Sequence, residues 1–421
     1  MYLAALPLLA ATLTRDPLAV SVVTVASWLP WPLFALPAGA LVDRLDRRRV
    51  MWSVDASRAL VVGALAAAVL AGWASIPLLA VAGFLVGAGQ PLFENAAQAM
   101  VVAVAGRDPH RLSRANGQLV ATLTVGQQLA GPPLGSAAFA VATWLPFLAD
   151  AVSFGASATL VAAIPGQFRA DGVSEPHPLV PGSLAEDVPK PHLPVPGAPV
   201  REGNPAGRTG RRVVHSLRAE IGEGLRFLFG NRVLRAGVLL VSASNLAFMA
   251  GEAVLVLFAT DELGLGSRGY GLLLAAVAVG GVPGSLLAAR VGERVPPGAL
   301  IVGGVLTGAV VMACFGLATN PWLAGVAYAA TGAVWGVWNV TLLSLRQAIV
   351  PDRLMGRVVG AIRLVGFGTI PLGALLGGLV AGALGLRAPY LGGAAVLAVA
   401  ALAAAPHITT PAIEAARSEV G

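Results

Sequence analysis

The stretch GALVDRLDRRRV, residues 39–50, sets Asp43, Arg44, Asp46, Arg47, Arg48 and Arg49 between two long apolar runs. A solvated turn needs far less charge than this. Composition supplies the setting. Of 421 residues, 56% are hydrophobic and 12% charged, against about 25% charged in soluble domains. A soluble fold this apolar would lack the polar surface to cover itself. The apolar residues also fall in runs long enough to cross a bilayer. The charges of 39–50 then belong to a short loop at a membrane face.

The formal net charge is +7, and Lys190 is the only lysine. It lacks the Gly-x-x-x-x-Gly-Lys-Ser/Thr surroundings of a phosphate-cradling loop, which excludes a nucleotide motor of that type. The arginines cluster in short loops between spans, so the basic excess reads as the positive-inside bias rather than as a nucleic-acid surface. Cys314 stands alone, and the five histidines are scattered without metal-ligand spacing. Neither a metal nor any other cofactor is expected, and no nucleophile–base set suggests an enzyme. Met1 opens directly on YLAALPLLAATL, which reads as a span and not as a cleaved leader. The preference for arginine over lysine, with abundant alanine, is that of a GC-rich bacterial genome.

Twelve spans are expected, near residues 1–14, 18–42, 49–72, 76–101, 116–139, 143–166, 234–260, 269–291, 298–318, 322–345, 356–383 and 388–405. The first is short: fourteen residues rise about 21 Å against roughly 30 Å of hydrocarbon. It is either incomplete here or begins upstream. Arg107, Arg111, Arg114, Arg290, Arg294, Arg346, Arg353 and Arg357 fall on the same side as Arg47–Arg49, whereas the opposite loops hold Arg15, Arg268 and Arg387. That bias puts the arginine-rich side and both termini in the cytoplasm of a bacterial cell membrane. The chain divides into a six-helix bundle (1–166), a linker (167–233), a second six-helix bundle (234–406) and a cytoplasmic tail (407–421). The linker begins with a proline-rich tether that cannot pack a core. It ends in an amphipathic helix with Leu217, Ile221, Leu225 and Leu228 on one face, suited to the membrane surface or to packing on protein.

The halves echo one another. PHRLSRANGQ (109–118) resembles PDRLMGRVVG (351–360), and GPPLG (131–135) lies over GALLG (373–377), 242 residues on. GALVDRLDRRRV has a fainter partner in GSLLAARVGERV (284–295), with Ala288 where Asp43 would be. Parallel six-span repeats build transporters with a central site between them.

GALVDRLDRRRV resembles the loop signature Gly-x-x-x-Asp-Arg-x-Gly-Arg-Arg of the major facilitator superfamily, with Asp46 in place of the usual glycine. FLADAVSF (147–154), LRAEIGEGLRFLFGNRVLRA (217–236) and RLVGFGTIPLGALLGG (363–378) are similar to the branch holding enterobactin exporters and macrolide-efflux-like proteins. The resemblance implies an all-α membrane protein with two pseudo-symmetric six-helix bundles. It also implies a cytoplasmic latch: Gly39, Asp43 and Arg44 against the start of span 11 at Gly356 and Arg357. An anion there is favoured by the helix dipole, about 0.3–1 kcal/mol when exposed. Arg47 either joins the latch or, with Arg48 and Arg49, only sets topology. Asp55 and Arg58 pair with each other or with this loop. GPPLG resembles the exporter signature Gly-Pro-x-x-Gly-Gly, with Ser136 replacing the last glycine. Gly131, Pro132, Gly135, Gly373 and Gly377 are expected to bend helices and let them approach closely.

Ionisable residues inside spans tend to face a cavity or a partner. Glu94 shares a face with Gln98, and Glu252 with Asn245. Both carboxylates are candidates for proton coupling or for holding a cationic group, or each hydrogen-bonds between helices. Arg363 either binds an anionic cargo group or serves a gate. Gln127 is a further path-lining candidate. The expected function is proton-coupled efflux of small amphipathic molecules, drug-, macrolide- or siderophore-like, by a monomer in a lipid bilayer. The alternatives are a flippase or importer of the same fold, or a non-transporting sensor or scaffold. No motif names the cargo.

Overall fold

The computed structural model describes residues 1–42, 45–105, 108–166, 168 and 222–418. Among these, each expected span is helical; spans 2 and 5 are interrupted at prolines, and span 7 at Ala253–Val254. The first half comprises α1 (Tyr2–Leu13), α2 (Pro17–Trp28), α3 (Pro30–Val42), α4 (Arg47–Leu70), α5 (Ile76–Ala105), α6 (Pro109–Leu123), α7 (Gly131–Val141) and α8 (Leu145–Ala163). Helix α9 covers residues 222–230. The second half comprises α10 (Arg232–Glu252), α11 (Leu255–Leu257), α12 (Ser267–Arg294), α13 (Pro297–Gly316), α14 (Pro321–Ile349), α15 (Asp352–Leu384), α16 (Ala388–Ala404) and α17 (Thr410–Ser418). Nine helices among the described residues are long and apolar enough to cross a membrane, while α1 and α16 are shorter apolar helices.

The helix starts follow from local chemistry. Asp16, Asp108 and Asn320 each precede a proline and cap the helix that follows, accepting from Leu18, His110 and Leu323 N–H at 3.0, 2.8 and 2.8 Å. The side-chain oxygen satisfies an orphan donor, and proline loses nothing at the first helical position. Proline also explains the breaks in spans 2 and 5. Span 2, expected as one run, turns at Leu29 ahead of Pro30 and Pro32. Pro132 and Pro133 offer no N–H to the carbonyls four residues back. The chain before them widens into a π-helical turn, Thr124–Ala130, in which Gly131 N–H reaches back to Gly126 O.

Within the first half α4 packs on α5 and α8, and α2 on α5. In the second half α12 packs on α14, α13 on α16, and α10 on α15 and α16. The halves meet along α2–α15 and α7–α12. The amphipathic helix resolves toward protein packing. Leu228 of α9 is fully buried, and Glu223 pairs with Arg357 at the start of α15. The tail also docks: Ile413 of α17 is buried, and α17 lies on α13 and α14. The tether, and Leu217 and Ile221 of the amphipathic helix, lie outside the described residues.

The loop at 39–50 is bolted to its own half. Asp46 Oδ1 accepts from Arg49 N–H at 3.0 Å and caps α4, while Oδ2 accepts from Phe168 N–H at 3.1 Å. Arg48 donates to the carbonyls of Ile164 and Gly166, just past the end of α8. Desolvation works against the Asp46 carboxylate, but the two backbone donors and the nearby Arg48 and Arg49 outweigh it and hold its pKa below the usual value. The stabilisation is therefore complete above the unfolded value of about 3.9 and lost as pH falls through the lower folded one. Asp46→Ala should cost about 1 kcal/mol, read as a lower melting temperature in detergent near neutral pH. Asp46→Asn, which keeps a capping oxygen, should cost less.

Candidate functional site

Two ends of the molecule behave differently. At the end bearing Arg15, the halves are in tight contact. A Cβ on Gly378 of α15 would collide with Ser21 of α2, and one on Gly271 of α12 would collide with Ser136 of α7. Ser136 overlies Gly378 in the internal repeat, so each seam sets a first-half serine against a second-half glycine. Arg15 crosses the same boundary to Asp261 at 2.8 Å and Thr260 at 3.1 Å. That pair is solvent-exposed, and such pairs contribute about 0–1 kcal/mol. Closure at this end therefore rests mainly on backbone-close packing.

At the arginine-rich end, a Cβ on Gly39 or Gly356 would meet open space. A cavity of about 150 Å³ lies on the seam there, lined by Trp31, Pro32, Pro91, Glu94 and Asn95 from the first half and by Gly356, Val359, Gly360, Arg363 and Leu364 from α15. Glu94 is held from behind by a polar chain buried at Asp55 and Arg58. Ser157 donates to Asp55 at 2.6 Å, Arg58 pairs with Asp55 at 3.4 Å, Arg58 donates to Gln90 at 2.7 Å, and Gln90 donates to Glu94 Oε1 at 2.8 Å. Arg58 is 5% exposed and lies over the rings of Phe93 and Phe154 at 5.3 and 5.6 Å. A Cβ on Gly89 would crowd its guanidinium and Val54. Three helices, α4, α5 and α8, thus position one carboxylate.

Glu252 faces a different space. It lines a cavity of about 50 Å³ inside the second half, with Ser244, Phe248, Tyr328, Thr331 and Trp335. Tyr328 donates to its Oε2 at 2.5 Å, and Tyr390 donates to the neighbouring Gly251 carbonyl at 2.9 Å. None of the ion pairs among the described residues involves Glu252.

The expected site residues therefore separate. Glu94 and Arg363 share one cavity. Asp55 and Arg58 pair with each other and act behind Glu94, deep in the first half rather than at the loop. Asn245 spends its amide on the Gly366 carbonyl at 2.8 Å and ties α10 to α15. Gln98 and Gln127 are exposed, Gln127 on the π-helical turn. Gly373 and Gly377 pack against the backbone of Leu246 and Ala250 in α10, and Gly135 against residue 1. Buried Gly131 and Pro132 open α7 beyond the π-helical turn. Asp43 and Arg44 lie outside the described residues, the Arg47 Nε is buried without a partner among them, and Arg357 is engaged by Glu223. Sequence reasoning missed the serine–glycine seams, the Arg15–Asp261 bridge and Tyr328. The departure at Ser136 from the exporter signature was the one available clue.

A family model described as Major Facilitator Superfamily matches residues 1–370. The chain belongs to the Major Facilitator Superfamily. It is thus a multi-pass membrane transporter and not an enzyme. Relatives include the multidrug efflux pump Tap of Mycobacterium bovis (strain BCG / Pasteur 1173P2), 29% identical over 88% of this chain and 80% of that one. The Mycolicibacterium fortuitum protein of the same name is 29% identical over 88% and 82%. The fold also matches solved structures at low identity. A mutant form of the nucleoside transporter NupG aligns with a TM-score of 0.66 at 12% identity, covering 97% of this chain and 99% of that one. A bacterial homologue of the iron transporter ferroportin aligns at 0.64 and 14%, covering 96% and 94%.

The seams carry a prediction. Gly378→Val should part the halves at the Arg15 end, whereas Arg15→Ala should do so only slightly. In purified protein with Cys314→Ala and Ser21→Cys, the thiol being placed on the buried side chain that faces Gly378, the rate of thiol labelling should rise strongly with the first change and little with the second. Equal rates would show that packing does not hold this end.

Proposed function

We propose that this chain is a secondary active exporter of small amphipathic molecules, driven by the proton gradient and working as a monomer by alternating access. The observation that carries the reading is the cavity at Glu94 and Arg363. Opposite halves contribute its two charged residues, and the seam beyond it is closed at the Arg15 end. A pocket between halves is exposed to one side and then the other as the halves rock. The relatives named as multidrug efflux pumps support the outward direction. The arginine bias supports placing the Glu94–Arg363 mouth and both termini in the cytoplasm of the cell membrane. Asp43, with Arg44, would then latch the halves when that mouth closes, displacing Glu223 from Arg357.

The two carboxylates divide the work. The Glu252 cavity, about 50 Å³, has room for a few waters at about 10–15 Å³ each and is too small for cargo. Tyr328 donates a hydrogen bond to this carboxylate, it has no ion-pair partner among the described residues, and intramembrane carboxylates of this kind serve proton relays. Glu252 is therefore the proton site. Glu94, tied through Gln90 to the Arg58 guanidinium, stays available to cargo.

The test is efflux from cells with and without the gene, before and after the proton gradient is collapsed. Glu252→Gln should leave cargo binding in place and reduce gradient-driven efflux by at least about tenfold, the scale of losing one essential protonation. Glu94→Gln should change which compounds leave while keeping the gradient response. Full gradient-driven efflux in Glu252→Gln would remove it from coupling. Gradient-driven uptake in place of extrusion would reverse the direction proposed here.

A further inference from the structure

The charges around the seam cavity do not balance within either half. On the first-half side, Asp55 and Arg58 neutralise one another, which leaves Glu94 as the surplus negative charge. Its Oε1 is occupied by Gln90, and its Oε2 has no partner among the described residues. On the second-half side, Arg363 is exposed to the cavity and has no hydrogen-bond partner among the described residues. Arg346 of α14 stands near enough for the two guanidinium charges to repel, and its side chain donates only weakly, to Leu342 O at 3.4 Å. Glu223 of α9, the acid that reaches the start of α15, is taken by Arg357.

Glu94 and Arg363 do not neutralise each other. No ion pair within 4.0 Å joins them among the described residues, and the cavity lies between. Opposite charges on facing walls of a pocket between the halves, each without an ion-pair partner among the described residues, are open to charges brought by a ligand. A ligand carrying one charge completes one wall and worsens the other. A ligand carrying both completes both. Trp31, set edge-on to Phe367 with ring centroids 5.3 Å apart, adds an aromatic wall beside them for an apolar body.

We propose that the cavity selects dipolar cargo: an amphipathic, aromatic molecule with a cationic amine for Glu94 and a separate anionic group for Arg363. Arg58 is a positioning residue in this scheme, acting on the amine through Gln90 and Glu94. The inference rests on the exporter reading for its biological meaning but not for its recognition chemistry.

The experiment uses the full chain in lipid nanodiscs and three fluorescent probes of one skeleton. Nε-dansyl-lysine carries both charges, its methyl ester only the amine, and its Nα-acetyl derivative only the carboxylate. Binding is read as dansyl emission sensitised by tryptophan. The dipolar probe should bind more tightly than either relative by on the order of tenfold, the scale of one charge-assisted contact. Glu94→Gln should bring it down to the level of the acetyl derivative, and Arg363→Gln to that of the ester. Glu94→Asp and Arg363→Lys, which keep the charges, should restore much of the preference and guard against misfolding. Arg58→Lys should weaken the two amine-bearing probes while sparing the acetyl derivative, a pattern that general destabilisation does not produce. Equal affinity for all three probes in the wild type would overturn the proposal. So would variants that weaken all three alike, since Glu94 and Arg363 would then hold the halves and not the cargo. Dipolar preference in nanodiscs without gradient-driven efflux from cells would keep the recognition and sink the exporter reading. Efflux without dipolar preference would do the reverse.

Discussion

Where the halves touch, backbone meets side chain with no Cβ between them. Gly378 against Ser21 and Gly271 against Ser136 bring α15 onto α2 and α12 onto α7 closely enough that a single methyl group would collide. The rest of the site depends on that contact. Helices that close tightly at one end can diverge toward the other, and the divergence makes the cavity at Glu94 and Arg363. In a bilayer, surrounding lipid is as apolar as the helix surfaces, so association is driven by shape and van der Waals contact more than by burial. Small residues are then the means of closure, and the exposed Arg15–Asp261 pair is an accessory to it.

The second constraint is the cost of charge. Arg58 sits almost fully buried in the first half, and Asp55, Gln90 and two aromatic rings share the work of keeping it there. The arrangement passes a hydrogen bond from that guanidinium through Gln90 to the back of Glu94. Glu252 lives under a different regime, with a phenol and a small cavity for company. Two carboxylates that look alike as intramembrane acids therefore have different chemistry. One is anchored beside a guanidinium at the mouth of a seam. The other is enclosed in the second bundle, with space enough for water.

The helices were legible because a bilayer demands long apolar runs and internally satisfied backbones. Capping residues and prolines marked their starts. Pro30 and Pro32 also foretold a break in span 2 that a purely hydropathic reading ran through. The pair Pro132–Pro133 foretold a bend but not the π-helical turn that precedes it. Glu94 and Arg363 were visible as charges inside spans, but nothing in their spacing said that they share a cavity. Asn245 looked like a polar partner for Glu252 on the same helical face. It turned instead to the Gly366 carbonyl, because α15 packs on that face of α10 and brings an acceptor within reach.

Sequence by itself determined the membrane class, the helical rods, the two-fold repeat and the family, since all of these rest on periodicity, composition and local motifs. The tertiary structure alone decided which polar groups meet. Ser136 and Gly271 are far apart in the chain, as are Ser21 and Gly378, Arg58 and Gln90, and Glu94 and Arg363. Their pairing follows from how rods cross in space, and a helix carries its side chains round every face without recording which neighbour each will find. The loop at 39–50 shows both levels. Its arginines mark a membrane face in the sequence. Only the fold assigns Asp46 and Arg48 to the far end of α8, because that helix ends beside the start of α4.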